Sequence, residues 1–139
     1  MSYTLSTTVD LPYDETVSAT RAALAEQGFG ILTEIDLAAT MKAKLDVDLP
    51  PQVILGACRP QLAYEAIGID PSIAAVLPCN VVVRSAGDTT TIVEAFDPDA
   101  MMGLASTQSG GGALDSVAAD AKQRLTAALA ALASHNQEN

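Results

Sequence analysis

The last third of the chain constrains the fold most strongly. Leu114, Val117, Ala118, Ala121, Leu125, Ala128, Leu129 and Leu132 recur at intervals of three and four residues. A helix here carries one continuous apolar stripe that runs to about Ala133. Such a stripe has to be buried against a partner of matching extent, and the rest of the chain supplies the material for a sheet. Tyr3, Leu5, Thr7 and Val9 alternate with Thr4, Ser6 and Thr8, and Phe29, Ile31, Thr33 and Ile35 repeat the pattern, which predicts two half-buried strands. Gln52 to Cys58 is apolar enough for a strand buried on both faces, stopped by Arg59-Pro60. Cys79 to Arg84, the turn Ala86-Gly87-Asp88 and Thr89 to Phe96 predict a hairpin.

Helices fill the spaces between. Pro12 with Asp14 and Glu15 marks a helix start, Tyr13, Val17 and Leu24 share a face, and Gly28 is placed to end the helix as a left-handed cap. Asp36 can cap a short helix through Ala38, Ala39 and Met41 to Leu45. Leu62, Ala63, Ala66 and Ile67 have helical spacing up to Gly68, and Asp70-Pro71 opens a further turn. Asp97-Pro98 begins a short helix with Met101, Met102 and Leu104. Ser106 to Gly112 reads as a flexible connector, and the tail from about 134 to 139 as frayed. A tight hairpin implies antiparallel pairing, so the expected class is α+β: a two-layer sandwich in which an antiparallel sheet of about five strands is backed by helices. With no internal repeat and no composition break, residues 1–139 read as one domain.

Charge and composition exclude several functions. Seventeen acidic against seven basic residues give a net charge of -10. Neither nucleic acid nor an anionic membrane surface is an expected partner, since both require clustered Lys and Arg. No window approaches the ~20 apolar residues of a membrane span. The polar N-terminus does not read as a signal peptide, and two cysteines fit reduced thiols in a cytoplasm. His135, the one histidine, lies in the tail, and no C-x-x-C occurs, so no metal and no cofactor are expected. Asp46 and Asp48 lack the Gly and terminal Glu of a calcium loop. The glycines at 110–112 match neither the P-loop nor G-x-G-x-x-G. No serine has a histidine partner, and Glu94, Asp97 and Asp99 are the available acids for paired-carboxylate chemistry.

Two thiols remain. Cys58 in Gly56-Ala57-Cys58-Arg59-Pro60 and Cys79 in Leu77-Pro78-Cys79-Asn80 both lie where a strand meets a proline-marked turn. Arg59 beside Cys58 could lower its pKa toward a nucleophilic thiolate, with Cys79 as a resolving thiol. The alternative is that each is a small buried hydrophobe. A pocket between these segments would gather Cys58, Arg59, Tyr64, Cys79 and Asn80: two thiols, a guanidinium, a phenol and an amide.

The strings Ile54-Leu55-Gly56-Ala57-Cys58-Arg59-Pro60-Gln61-Leu62-Ala63-Tyr64-Glu65-Ala66 and Leu77-Pro78-Cys79-Asn80-Val81-Val82-Val83, with Gly28 to Asp36, resemble the bacterial and archaeal family catalogued as domain of unknown function number 302. The resemblance implies a TATA-binding-protein-like sheet without DNA binding, and often a homodimer. The family's recurring Cys, Tyr, Pro and Asn correspond to Cys58, Tyr64, Pro78, Cys79 and Asn80, whereas Arg59 stands where the family usually has Asn. It implies no activity. The expectation is a small-molecule or thiol-ligand binding module acting as a homodimer, with a cysteine-dependent enzyme or redox protein and a structural assembly domain as alternatives.

Overall fold

The alternating segments pair into one five-stranded sheet. In the computed structural model, which describes residues 3–101, 103 and 114–134, these strands are β1 (Thr4–Val9), β2 (Gly30–Asp36), β3 (Gln52–Cys58), β4 (Cys79–Ser85) and β5 (Thr91–Phe96). The helices are α1 (Tyr13–Glu26), α2 (Leu37–Leu45), α3 (Pro60–Ile69) and α4 (Asp115–Ala133), with a 3-10 turn over Pro71–Val76. The sheet order is β1-β5-β4-β3-β2, and every neighbouring pair is antiparallel. The expected α+β architecture is observed.

Consecutive β1 and β2 occupy opposite edges, so α1 has to carry the chain across the sheet. Its 14 residues extend about 21 Å at 1.5 Å each, close to the roughly 19 Å across five strands. Its buried face is Thr16, Thr20 and Leu24, with Tyr13 and Val17 only half-buried. Sequence patterning missed the threonines because their hydroxyls are satisfied within the helix. Thr16 Oγ1 donates to the Pro12 carbonyl at 2.9 Å and Thr20 Oγ1 to the Thr16 carbonyl at 2.7 Å, leaving methyl groups for the core. Gly28 ends the helix at φ +87, as expected.

The inner sheet face is built from Val53, Leu55 and Ala57 of β3, Val81 and Val83 of β4, and Val93 and Ala95 of β5. The C-terminal half of α4 covers it through Leu125, Ala128 and Leu132. The N-terminal half, through Leu114, Val117, Ala118 and Ala121, packs on Leu62 and Ala66 of α3 and on Met101 from a helical turn at 98–101. One stripe thus closes two clusters, and of the eight residues in the predicted stripe only Leu129 is merely half-buried. Arg124 fixes the pairing of the two long helices by donating to the Gln27 carbonyl at the end of α1, 3.1 Å away.

Three expectations need correction. A register shift between Ile31 and Thr33 inserts an extra residue into β2. Phe29 (5% exposed) therefore faces the core while Ile35 (46% exposed) turns to the opposite face. Second, β3 is not buried on both faces: Ile54 is half-buried on an outer face that, among the described residues, no long helix covers. Gly56 is sealed there, and a Cβ at this position would overlap the Thr33 side chain and lie 2.8 Å from the Pro78 ring. Third, α3 passes through Gly68 to Ile69 and stops at Asp70 (φ -146), where the following Pro71 disfavours the helical conformation. The Asp36 cap is as expected, its carboxylate accepting from Ala39 N–H at 2.9 Å, but α2 has no buried residue. Met102, Leu104, the 106–112 connector and the 135–139 tail lie outside the described residues. Among the described residues no helix is long and apolar enough to cross a membrane.

Gly56→Ala is expected to lower unfolding free energy by about 1–3 kcal/mol through overpacking against Thr33 and Pro78. Leu125→Ala should remove about 2–5 kcal/mol by opening a cavity under α4. Urea unfolding with unchanged m-values checks both.

Candidate functional site

Antiparallel pairing decides which chain segments meet. β3 ends, β4 begins, β5 ends and β2 begins at the same end of the sheet. Cys58, Cys79, Phe29 and the turn after β5 are therefore neighbours despite their separation in sequence. Together with α3 and the N-terminal part of α4 they line a partly open cavity of about 40 Å³ whose lining residues include Cys58, Cys79, Arg59, Met101, Phe29 and Ala121. The walls are almost entirely apolar. Lys122 secures the turn that supplies Met101, holding Asp97 at 3.3 Å and Asp99 at 2.8 Å. A space of this size accommodates a water or two, far short of the several hundred Å³ that enclose a typical organic ligand.

Both thiols are free. Burial raises the pKa of each, and Cys79 is pushed up to about 11 by burial and then by the nearby Cys58. The guanidinium does not produce the expected activation. Arg59 folds back along Gly28, where an added Cβ would lie 3.1 Å from Nε. At neutral pH both sulfurs are protonated, which disfavours nucleophilic chemistry.

The five residues expected to share a pocket do not all do so. Cys58, Arg59 and Cys79 line the cavity. Tyr64 projects from α3 with 84% of its surface exposed. Asn80 follows Cys79 by one residue, and the strand alternation turns it onto the outer sheet face. There it lines a groove of about 440 Å³ with Tyr3, Gln52, Val82, Arg84, Glu94 and Phe96. The groove was legible in the hairpin alternation, since residues 80, 82 and 84 necessarily face away from Val81 and Val83.

At the groove centre Arg84 Nη1 donates to Glu94 at 2.5 Å, and Thr4 Oγ1 donates to the same carboxylate at 2.7 Å. These two hydrogen bonds, Thr4 foremost, hold Glu94 below the usual carboxylate range. Glu94 is an ionised acceptor at neutral pH, and Asp97 and Asp99 are engaged by Lys122, so the three acids do not form a catalytic pair. Asp46 and Asp48 both lie on Lys42, at 3.0 and 3.3 Å. Among the described residues no cluster of three His, Cys, Asp or Glu could hold a metal ion.

This arrangement of strands is shared more widely. The family model for the domain of unknown function DUF302 matches residues 5–132. The chain belongs to the DUF302 family. A crystal structure of an uncharacterized conserved DUF302 protein from Bacillus stearothermophilus superimposes with a TM-score of 0.84 at 27% identity, over 95% of this chain and 99% of that one. No curated protein matches. DUF302 membership accounts for the fold and supplies no activity.

Because Cys79 ionises near pH 11 in the folded chain and near 9 when unfolded, its contribution is fully present below pH 9 and is lost as pH rises to about 11. On the order of 2–3 kcal/mol of stability should disappear over that window. Cys79→Ala should flatten the decline, measured by urea midpoints across pH.

Proposed function

We propose that this DUF302 chain is a small-molecule binding module whose ligand lies on the outer face of the sheet. The observation that carries the reading is the groove between Tyr3 and Phe96. Its volume of about 440 Å³ falls in the range of organic-ligand sites, whereas the thiol cavity does not. Gln52 and Asn80 offer amide donors and acceptors from adjacent strands, and Phe96 and Val82 offer an apolar surface. The Arg84–Glu94 pair is internally neutralised, so the groove suits a neutral ligand with hydrogen-bonding groups on an apolar or planar body. The net charge of -10 disfavours polyanions.

The same reading has the chain act as a homodimer. Leu32 (62% exposed) and Ile35 on β2, with Leu45 (66% exposed) at the end of α2 and Val47 and Leu49 beyond it, support it as exposed apolar side chains. In native mass spectrometry the dimer should give way to monomer in Leu32→Glu and Leu45→Glu variants. A monomeric parent chain removes that part of the reading.

A thermal-shift screen of neutral small metabolites tests the groove. A ligand at about 100 times its dissociation constant adds roughly 2.7 kcal/mol, which raises Tm by several degrees for a chain of this size. Asn80→Ala with Gln52→Ala should abolish the shift while preserving the fold. A screen with no hits, or a shift that survives these changes but disappears in Cys58→Ser, overturns the groove as the site.

A further inference from the structure

The groove on the outer face carries more chemical detail than its volume. Glu94 accepts one hydrogen bond on each oxygen, from Arg84 Nη1 at Oε1 and from Thr4 Oγ1 at Oε2. A carboxylate has about four acceptor sites and a guanidinium has several N–H donors, so both partners keep capacity beyond their mutual bond. Neither is sealed off: the Arg84 and Glu94 side chains are 37% and 26% exposed. Acceptors and donors thus lie side by side at the centre of the groove. The β5 alternation puts Phe96 on the same face, two residues and about 7 Å further along the strand. Val81 opposite Ala95 fixes the β4–β5 register, and one step beyond it Asn80 stands level with Phe96. An ion pair, then an aromatic ring with an amide at its side, follow one another along the groove. Among the described residues the lining holds no lysine, and its one guanidinium is already turned to Glu94.

We propose that this groove takes a neutral ribonucleoside, with the 2′,3′-diol on the Arg84–Glu94 pair and the base against Phe96 and Asn80. The inference rests on the reading of the groove as the ligand site and names the class of ligand. Two vicinal hydroxyls both donate and accept, which matches a fixed carboxylate–guanidinium pair. One hydroxyl donates to Glu94 and the other accepts from Arg84. Acidic side chains take a ribose hydroxyl in this way in dinucleotide sites. Glu94 stays ionised at neutral pH because its hydrogen bonds hold it below the usual carboxylate range, which strengthens the bond it accepts. In a ribonucleoside the base begins one sugar ring away from the diol, close to the spacing between Glu94 and Phe96. Aromatic rings stack bases of any kind, and an Asn amide supplies donors and an acceptor to a base edge. A 5′-phosphate finds no uncommitted cation in this lining and meets the field of a chain with net charge -10. The chemistry therefore selects the nucleoside over its nucleotide.

The test is isothermal titration calorimetry of the full chain with adenosine, guanosine, cytidine and uridine. Each is run beside its 2′,3′-dideoxy analogue and its 5′-monophosphate, with maltose as a diol that carries no base. The expected result is one ribonucleoside bound per chain, at least roughly tenfold more tightly than its dideoxy analogue and more tightly than its monophosphate, with no binding of maltose. Glu94→Gln should cost the ribonucleoside roughly tenfold or more and leave the dideoxy analogue unchanged, a difference that a merely structural role for Glu94 does not produce. Phe96→Leu, which keeps an apolar side chain and loses the ring, should weaken both by roughly fivefold or more. Circular dichroism checks the folding of each variant, and if Glu94→Gln does not fold, the ribonucleoside–dideoxy comparison on the parent chain decides. Equal affinity for the two overturns the proposal and leaves the groove reading standing, as does maltose binding without nucleoside binding. The proposal also falls, with the groove intact, if no nucleoside binds while another neutral compound gives a thermal shift that Asn80→Ala with Gln52→Ala abolishes. If no compound of either kind binds, both readings fall together.

Discussion

Burial of the α4 stripe holds this structure together. Its two halves perform different tasks. Leu125 and Leu132 close the inner sheet face, and Leu114 with Val117 roofs the space beside α3. Each fully buried Leu contributes about 1.5–3 kcal/mol relative to exposure, so the helix that closes the main core also shapes the thiol cavity. Lys122, on the polar side of α4, extends that control by holding Asp97 and Asp99. The turn with Met101 is therefore positioned from the same helix.

Burial on one face leaves the other face of the sheet available. The helices α1 and α4 both serve the inner face, and among the described residues no comparable element covers the outer one. The outer surface is neither plainly polar nor plainly apolar. The Arg84–Glu94–Thr4 network lies among Val82, Ile92 and Ile54, and the extra residue in β2 adds Ile35 to that surface. Such a mixture suits recognition better than simple exposure to water. The thiol cavity differs in kind, because it is small and almost entirely apolar.

Much of this was legible in the chain. Strand and helix existence followed from periodicity, with boundaries at β3 and α4 close to those observed, because burial on one side imposes a period that residues record directly. Errors arose where backbone geometry changed the count. One extra residue in β2 reversed Ile35, and Asp70-Pro71 rather than Gly68 ended α3. Thr16 and Thr20 were passed over because threonine counts as polar until its hydroxyl finds a carbonyl one turn back.

By itself the sequence determined the α+β class, the one-sided sheet, the long closing helix and the candidacy of Cys58, Arg59, Cys79 and Asn80. Cys79 and Asn80 were expected in one pocket, although adjacent positions on a strand face opposite ways. Tertiary structure decided which distant residues share a space: Met101 beside the thiols, Gln52 and Phe96 beside Asn80, and Tyr64 with neither. It also decided the state of the thiols, since Arg59 is adjacent to Cys58 in sequence yet turns toward Gly28. The physical reason is that periodicity encodes which side of an element is buried, while pairing order and strand direction fix which elements end together. Here those ends bring the segments of Cys58, Cys79 and Met101 together around one small cavity.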